Sequence, residues 1–273
     1  MDKFKKLSFP YLVWMIILTG IPLIVMLLIS FMDISYLQFN TATISVDHFS
    51  KVFNATYAKA FWLSIKLGLL ATLGSLIIGY PIAYIVSTSK FKNKFLFLLI
   101  FLIPMWTNLL LRVETINRIL QPEGFMKNVF NISLDLSGTE SAVVIAMIII
   151  YLPFMIFPIY TVLEKMDKSL IEASMDLGAN DISTFFKVTL PLSLKGITSG
   201  ITMVFLPCAM GFTIPYIISN GNIQLIGNII EKNFKGTTGS YNVGSLASLV
   251  VIIFVFGALF LISKIDEDGE TLL

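Results

Sequence analysis

A polar stretch between two apolar ones holds the residues whose types and spacing suggest chemistry most strongly. It reads Ser169-Leu-Ile-Glu-Ala-Ser-Met-Asp-Leu-Gly178, followed nine residues later by Val188-Thr-Leu-Pro191. Ser169 with Glu172 three positions on fits a capping box. Leu170, Ala173, Ser174 and Leu177 fall at helical spacing on one face. Gly178 suits the left-handed end of a helix, and Asn180 or Asp181 can cap a second one. Two short helices should meet here at a sharp corner. A corner of this kind docks or transmits; as a bland alternative it is an interfacial linker. A second group could receive a cation. Trp106 and Tyr216 offer ring faces, Asn108 offers an amide, and Glu114 is a carboxylate near a helix end. The spans themselves hold no Asp, Glu or His.

Other chemistry is excluded by count. One histidine, His48, and one cysteine, Cys208, leave no metal cluster, no intrachain disulfide and no cofactor site that needs two such ligands. The glycines near Gly236-Thr-Thr-Gly239 precede no Gly-Lys-Ser/Thr, so that loop is no phosphate cradle. His48 reads as a solvated loop residue and Cys208 as a small buried one. Asn54-Ala-Thr56 fits a glycosylation sequon, which matters only in a secretory pathway.

The elements that position these residues belong to a bilayer. The chain has 273 residues, 56% of them hydrophobic, and its mean hydropathy is +0.86. Only 13% are charged, against about 25% in soluble domains. A net charge of +2 gives no reason to expect nucleic acid. Six segments reach the length of a spanning helix, at about 10–32, 60–86, 95–111, 141–163, 197–219 and 244–263. Continuous apolar runs argue for helices over the alternating strands of a barrel, so the expected fold is an all-α integral membrane protein forming one domain over 1–273. The inner flanks hold 11 Lys and Arg and the outer loops hold 7, which puts both termini and the segment 164–196 in the cytoplasm. The N-terminus imitates a signal peptide, but its apolar run is long and lacks a cleavage site, so it reads as a retained helix. Lys66 lies about 9 Å inside its span and is expected to snorkel to the headgroups. The stretch from Leu110 to Leu120 is amphipathic and suited to the membrane surface. Pro207, Gly211 and Pro215 should break the fifth span at mid-depth, as in helices that line transport paths.

Glu172-Ala-Ser-x3-Gly178-x9-Val188-x-Leu190-Pro191 resembles the EAA signature of ABC-importer permeases, with Ser174 and Val188 replacing Ala and Ile. Four further stretches are similar to the spermidine/putrescine branch of that family, the PotB type: Pro104-Met-Trp106-Thr-Asn108, Leu152 to Tyr160, Leu163 to Asp167, and Leu225 to Ile230. The resemblance implies a six-span type I (MetI-like) permease in a bacterial inner membrane. It implies that Ser169, Glu172, Ala173, Gly178, Leu190 and Pro191 couple to a cytosolic ATPase dimer (PotA type). A second permease (PotC type) and an extracytoplasmic polyamine-binding protein (PotD type) would complete the importer. The chain itself would not hydrolyse ATP. Trp106, Asn108, Glu114 and Tyr216 would lie on the substrate path. The alternatives are a same-family permease for another small solute, or a self-contained secondary carrier, which the lack of intramembrane carboxylates disfavours.

Overall fold

The computed structural model describes residues 2–33, 43–90, 92–133, 136–235 and 240–270. The loop at 236–239 lies outside them. In chain order the elements are α1 (Asp2–Ser30), β1 (Met32–Asp33), β2 (Thr43–Ile44), α2 (Asp47–Val52), α3 (Ala55–Thr88), α4 (Lys94–Leu102), a 3-10 turn (Ile103–Trp106), α5 (Leu109–Leu120), α6 (Phe125–Phe130) and α7 (Glu140–Lys165). There follow α8 (Lys168–Asp176), α9 (Asp181–Thr184), a π turn (Phe185–Thr189), α10 (Leu190–Leu192), α11 (Leu194–Met210), α12 (Thr213–Ile218), α13 (Ile226–Lys235) and α14 (Tyr241–Glu270). Apart from the two-residue antiparallel pair β1–β2, the described chain is helical, as its apolar runs require.

Among the described residues, four helices are long and apolar enough to cross a membrane: Phe9–Ser30, Ala55–Thr88, Glu140–Lys165 and Tyr241–Phe260. Six result if each of two bent pairs, Leu96–Trp106 with Leu109–Leu120 and Asp181–Leu192 with Leu194–Met210, is counted as one span. The expected single span at 95–111 is corrected. α4 and its 3-10 turn run to Trp106, and α5 leaves at 98°. Thr107 and Asn108 are both extended there, which breaks the helix. The expected span at 197–219 is also interrupted. α11 ends at Met210 and α12 restarts at Thr213, so the weak point read from Pro207, Gly211 and Pro215 is a real break.

Contacts divide the chain into two compact units. One comprises residues 1–60 and 228–256. Its core joins Val52 to Val243, Leu246 and Ala247, and Asn233 Nδ2 donates to Tyr57 Oη at 2.9 Å. His48 lies here, and the solvated-loop expectation fails for it. It is 3% exposed on α2, and its Nε2 hydrogen-bonds the Ser30 carbonyl. A lone imidazole is buried because it closes the open C-terminal end of α1.

The other unit comprises 61–227 and 257–273. Its core runs through Leu67, Ala71, Met147, Met155, Ile156, Ile159, Val204 and Cys208, all nearly inaccessible. Helices α7 and α11 form the most extensive packing in the chain. Glycine makes that approach possible. A Cβ on Gly196 would lie 2.9 Å from the Ile159 Cα, and one on Gly200 2.7 Å from the Met155 Sδ. This is small-xxx-small packing, the usual way for backbones to close up in lipid. Thr139 caps α7, its hydroxyl accepting from the Ala142 amide at 3.2 Å. Lys66 does not simply snorkel. Its Nζ pairs with Glu140 Oε2 at 2.7 Å, across a half-exposed site where such a bridge adds little stability. Lys94 ties three helix ends together, donating to the Ser87 carbonyl at 2.6 Å and to Glu164 at 3.0 Å.

The glycine contact gives the first prediction. Gly196→Ala should cost about 1–3 kcal/mol through overpacking, read as a lower melting temperature of the detergent-purified protein. Gly20→Ala, with no atom within 4 Å of the added carbon, should leave it unchanged.

Candidate functional site

The polar stretch between α7 and α11 folds as an elbow built from consecutive caps. Asp167, not Ser169, is the N-cap of α8. Its Oδ1 accepts from the Ser169 amide at 3.0 Å, placing Ser169 inside the first turn. The expected capping box is therefore corrected. The cause is a stronger acceptor two residues earlier, a carboxylate aimed at a helix N-terminus. The Ser169 amide, and then its hydroxyl, hold the Asp167 carboxyl below the ordinary carboxylate range. At the other end the expectation holds. Gly178 is left-handed at φ +86°. Its amide reaches the Met175 carbonyl at 2.9 Å, and the Ala179 amide reaches that of Ser174 at 3.2 Å. Those two bonds form a Schellman motif. Asn180 then caps α9, its Oδ1 accepting from the Ser183 amide at 2.8 Å.

After α9 the chain takes one π turn, and Leu190-Pro191 opens α10, where proline's missing amide does no harm. The elbow meets α11 at 61°. Two contacts tie it to α3. Tyr80 Oη and Ser193 Oγ share a buried hydrogen bond of 2.9 Å. The Phe185 ring stands edge-on to Tyr80 at 5.8 Å and to Tyr84 at 5.3 Å. Within the elbow, Ser174 and Thr184 hydroxyls meet at 3.1 Å. The outer surface is what a linker would not need. No residue of α8 is buried, and Leu177 (89%), Ile182 (70%), Phe186 (60%) and Leu170 (47%) are exposed apolar side chains. Glu172, Ala173, Gly178 and Pro191 are exposed with them, while Leu190 is half-buried.

The four residues expected on a path occupy the two helix breaks and their neighbours. Trp106 ends the 3-10 turn and is 87% exposed. Asn108 is the N-cap of α5, with Oδ1 accepting from the Leu110 amide at 2.8 Å. Glu114 is one turn on and pairs with Arg118 at 3.3 Å. Tyr216 is exposed on α12. Helices α5 and α12 pack together, so the two breaks are adjacent. A cavity of about 320 Å³ lies there, lined by Leu109, Met147, Tyr151, Pro207, Met210 and Pro215. None of the four expected residues lines it. Tyr151, which stands directly before Leu152-Pro153 in the sequence, faces this cavity although the sequence reading did not single it out. The Leu225 to Ile230 stretch also has a physical role. Leu225 is fully buried, and a Cβ on Gly227 would strike the Met210 carbonyl, so only glycine lets the chain cross the end of α11. The amphipathic α5 turns Val113, Ile116 and Leu120 into the protein.

The family described as "Binding-protein-dependent transport system inner membrane component" matches residues 1–264. The chain is 31% identical over 267 residues to the spermidine/putrescine transport system permease protein PotB of Haemophilus influenzae, covering 93% of each. It is 29% identical over 255 residues to that of Escherichia coli, covering 91% of this chain and 92% of the relative. A bacterial ABC transporter that imports the acidic polysaccharide alginate superposes with a TM-score of 0.77 over 97% of this chain and 95% of its own, at 14% identity. A bacterial alginate ABC transporter in complex with an alginate pentasaccharide-bound periplasmic protein superposes with a TM-score of 0.75 over 95% of this chain and 92% of its own, at 14% identity. At that identity the likeness is one of fold, the type I fold of ABC-importer permeases.

The caps make a second prediction. Asp167→Ala should speed hydrogen exchange in the first turn of α8, and Ser169→Gly, which keeps the amide, should not abolish the cap. Because the Asp167 carboxyl is lowered in the folded state, its contribution is fully present above its unfolded value of about 3.9. That contribution is lost only as pH falls through the lowered value. Exchange protection of α8 should thus be flat from neutral pH to about 4 and fall in stronger acid.

Proposed function

The chain belongs to the family of binding-protein-dependent inner-membrane transport components, the permease subunits of ABC importers, and from that premise we propose that it carries polyamines and couples to its motor through the elbow. The observation that carries the coupling is the set of apolar side chains left exposed on a segment otherwise polar and fully capped. Leu170, Leu177 and Ile182 surround Glu172, Ala173 and Gly178, as a surface built for a protein cleft would. In this reading both termini and the elbow face the cytoplasm. A cytosolic ATPase dimer of the PotA type receives α8. A PotC-type permease supplies the other half of the path, and a PotD-type protein delivers cargo from outside.

The mechanism is alternating access. ATP closes the ATPase dimer and draws the elbows together. Each elbow moves as one body, because its ends are fixed by Asp167, Gly178 and Asn180. Phe185 between Tyr80 and Tyr84, and Ser193 on Tyr80, pass that motion to α3. The two helix breaks then open or close the route, with Trp106, Asn108, Glu114, Tyr216 and Tyr151 along it. Aromatic faces suit ammonium groups, each worth about 0.5–2 kcal/mol. Similarity to the PotB proteins supports a polyamine cargo. A same-family permease for another small solute remains the competing reading, since delivery by the binding protein sets much of cargo choice.

Uptake of radiolabelled spermidine in a deletion strain carrying this chain tests the cargo: no spermidine uptake would favour another solute. Glu172→Arg and Gly178→Pro should abolish uptake while the protein stays in the membrane, the second because proline cannot adopt φ +86°. Phe185→Ala should leave ATPase activity in place and reduce uptake. Normal uptake in both elbow variants would remove the docking role.

A further inference from the structure

Arg112 is a cation with an unfinished set of partners. It stands in the first turn of α5, just past the 98° bend. Its Nε is buried and has no hydrogen-bond partner. It lines a cavity of about 590 Å³ whose walls include Phe101, Met105, Ile149 and Leu152. Thr115 is at the same rim, but its hydroxyl already donates to the Leu111 carbonyl at 2.7 Å. Glu114, the nearest acid in sequence, is bound to Arg118. So the donor on offer is the guanidinium.

A guanidinium facing an apolar cavity beside a bilayer calls for an anion. α4 and its 3-10 turn carry the chain about 21 Å from Lys94, of a hydrocarbon core near 30 Å. Arg112 therefore sits within reach of a headgroup layer. The cavity walls are too apolar for a small hydrated anion, and they suit a ligand with an anionic head and a long apolar tail. A polyamine has the wrong sign. We propose that the cavity is a binding site for an anionic phospholipid. Arg112 binds its phosphate through paired N–H donors, and an acyl chain lies among α4, α5 and α7. The lipid braces the broken span at its bend. This inference rests on the chain's place in a bilayer and not on its cargo.

The test uses the intact transporter, purified in detergent with its copurifying subunits. Phosphatidylglycerol in mixed micelles should raise the melting temperature and stay bound in native mass spectrometry; phosphatidylcholine should do neither. Arg112→Gln should lose that preference and Arg112→Lys should keep it. Ile149→Trp, which fills the cavity and leaves the charge, should lose the retained lipid, so the proposal stays testable where Arg112→Gln fails to fold. Inorganic phosphate should not reproduce the shift. Equal effects of both lipids, a shift produced by phosphate alone, or preference kept in Arg112→Gln would each overturn the site. So would a Met105→Cys crosslink to a neighbouring subunit, which would make the occupant a protein.

Discussion

Every backbone amide and carbonyl that enters hydrocarbon must find a partner inside the protein. An unbroken helix meets this demand automatically, and this chain gives that up at Thr107-Asn108 and at Gly211-Phe212. Each break is repaired locally. The Thr107 amide and hydroxyl reach the Pro104 carbonyl at 3.2 and 2.7 Å, and the Asn108 side chain takes the Leu110 amide. The Gly211 amide turns back to the Pro207 carbonyl at 2.9 Å. The repaired ends lie on helices that pack together, so the weak points of two spans become one site. The scaffold behind them is the opposite, the glycine-closed pair α7 and α11.

The elbow obeys the same economy. Its first helix, α8, buries no side chain, so its shape comes from caps and not from a core. Asp167 starts α8, Gly178 ends it, and Asn180 starts α9. A segment held this way is stiff and presents apolar side chains without collapsing on them. Its link to the bundle is narrow, a buried hydroxyl pair and an aromatic wedge. Edge-on ring pairs add about 0.5–1.5 kcal/mol beyond the area they cover. The π turn beneath Phe185 fits a place where geometry is tuned for use.

Much of this was legible in the sequence where a single residue has one physical use. Gly178 could end a helix, Asn180 could start one, and two prolines with a glycine could break the fifth span. Legibility failed where neighbours compete. Ser169 with Glu172 looked like a capping box, yet Asp167 offers a charge to the same amides. The run at 95–111 looked continuous, because Asn108 reads as a polar passenger until its cap is seen. Lys66 found Glu140, 74 positions away, and His48 found a helix end; tertiary partners of that kind leave no local trace. The Gly196-x3-Gly200 spacing was present and closes α11 onto α7, but its use depends on what lies opposite.

The central claim is that the elbow is gripped by a cytosolic motor. Leu177 is its most exposed apolar residue, and Cys208, the chain's one native cysteine, is buried. Leu177→Cys in membranes holding the assembled transporter should crosslink to the ATPase subunit, with a yield that changes when nucleotide is added. Labelling of that cysteine by an impermeant maleimide outside intact cells, with no capture by the ATPase, would contradict the account.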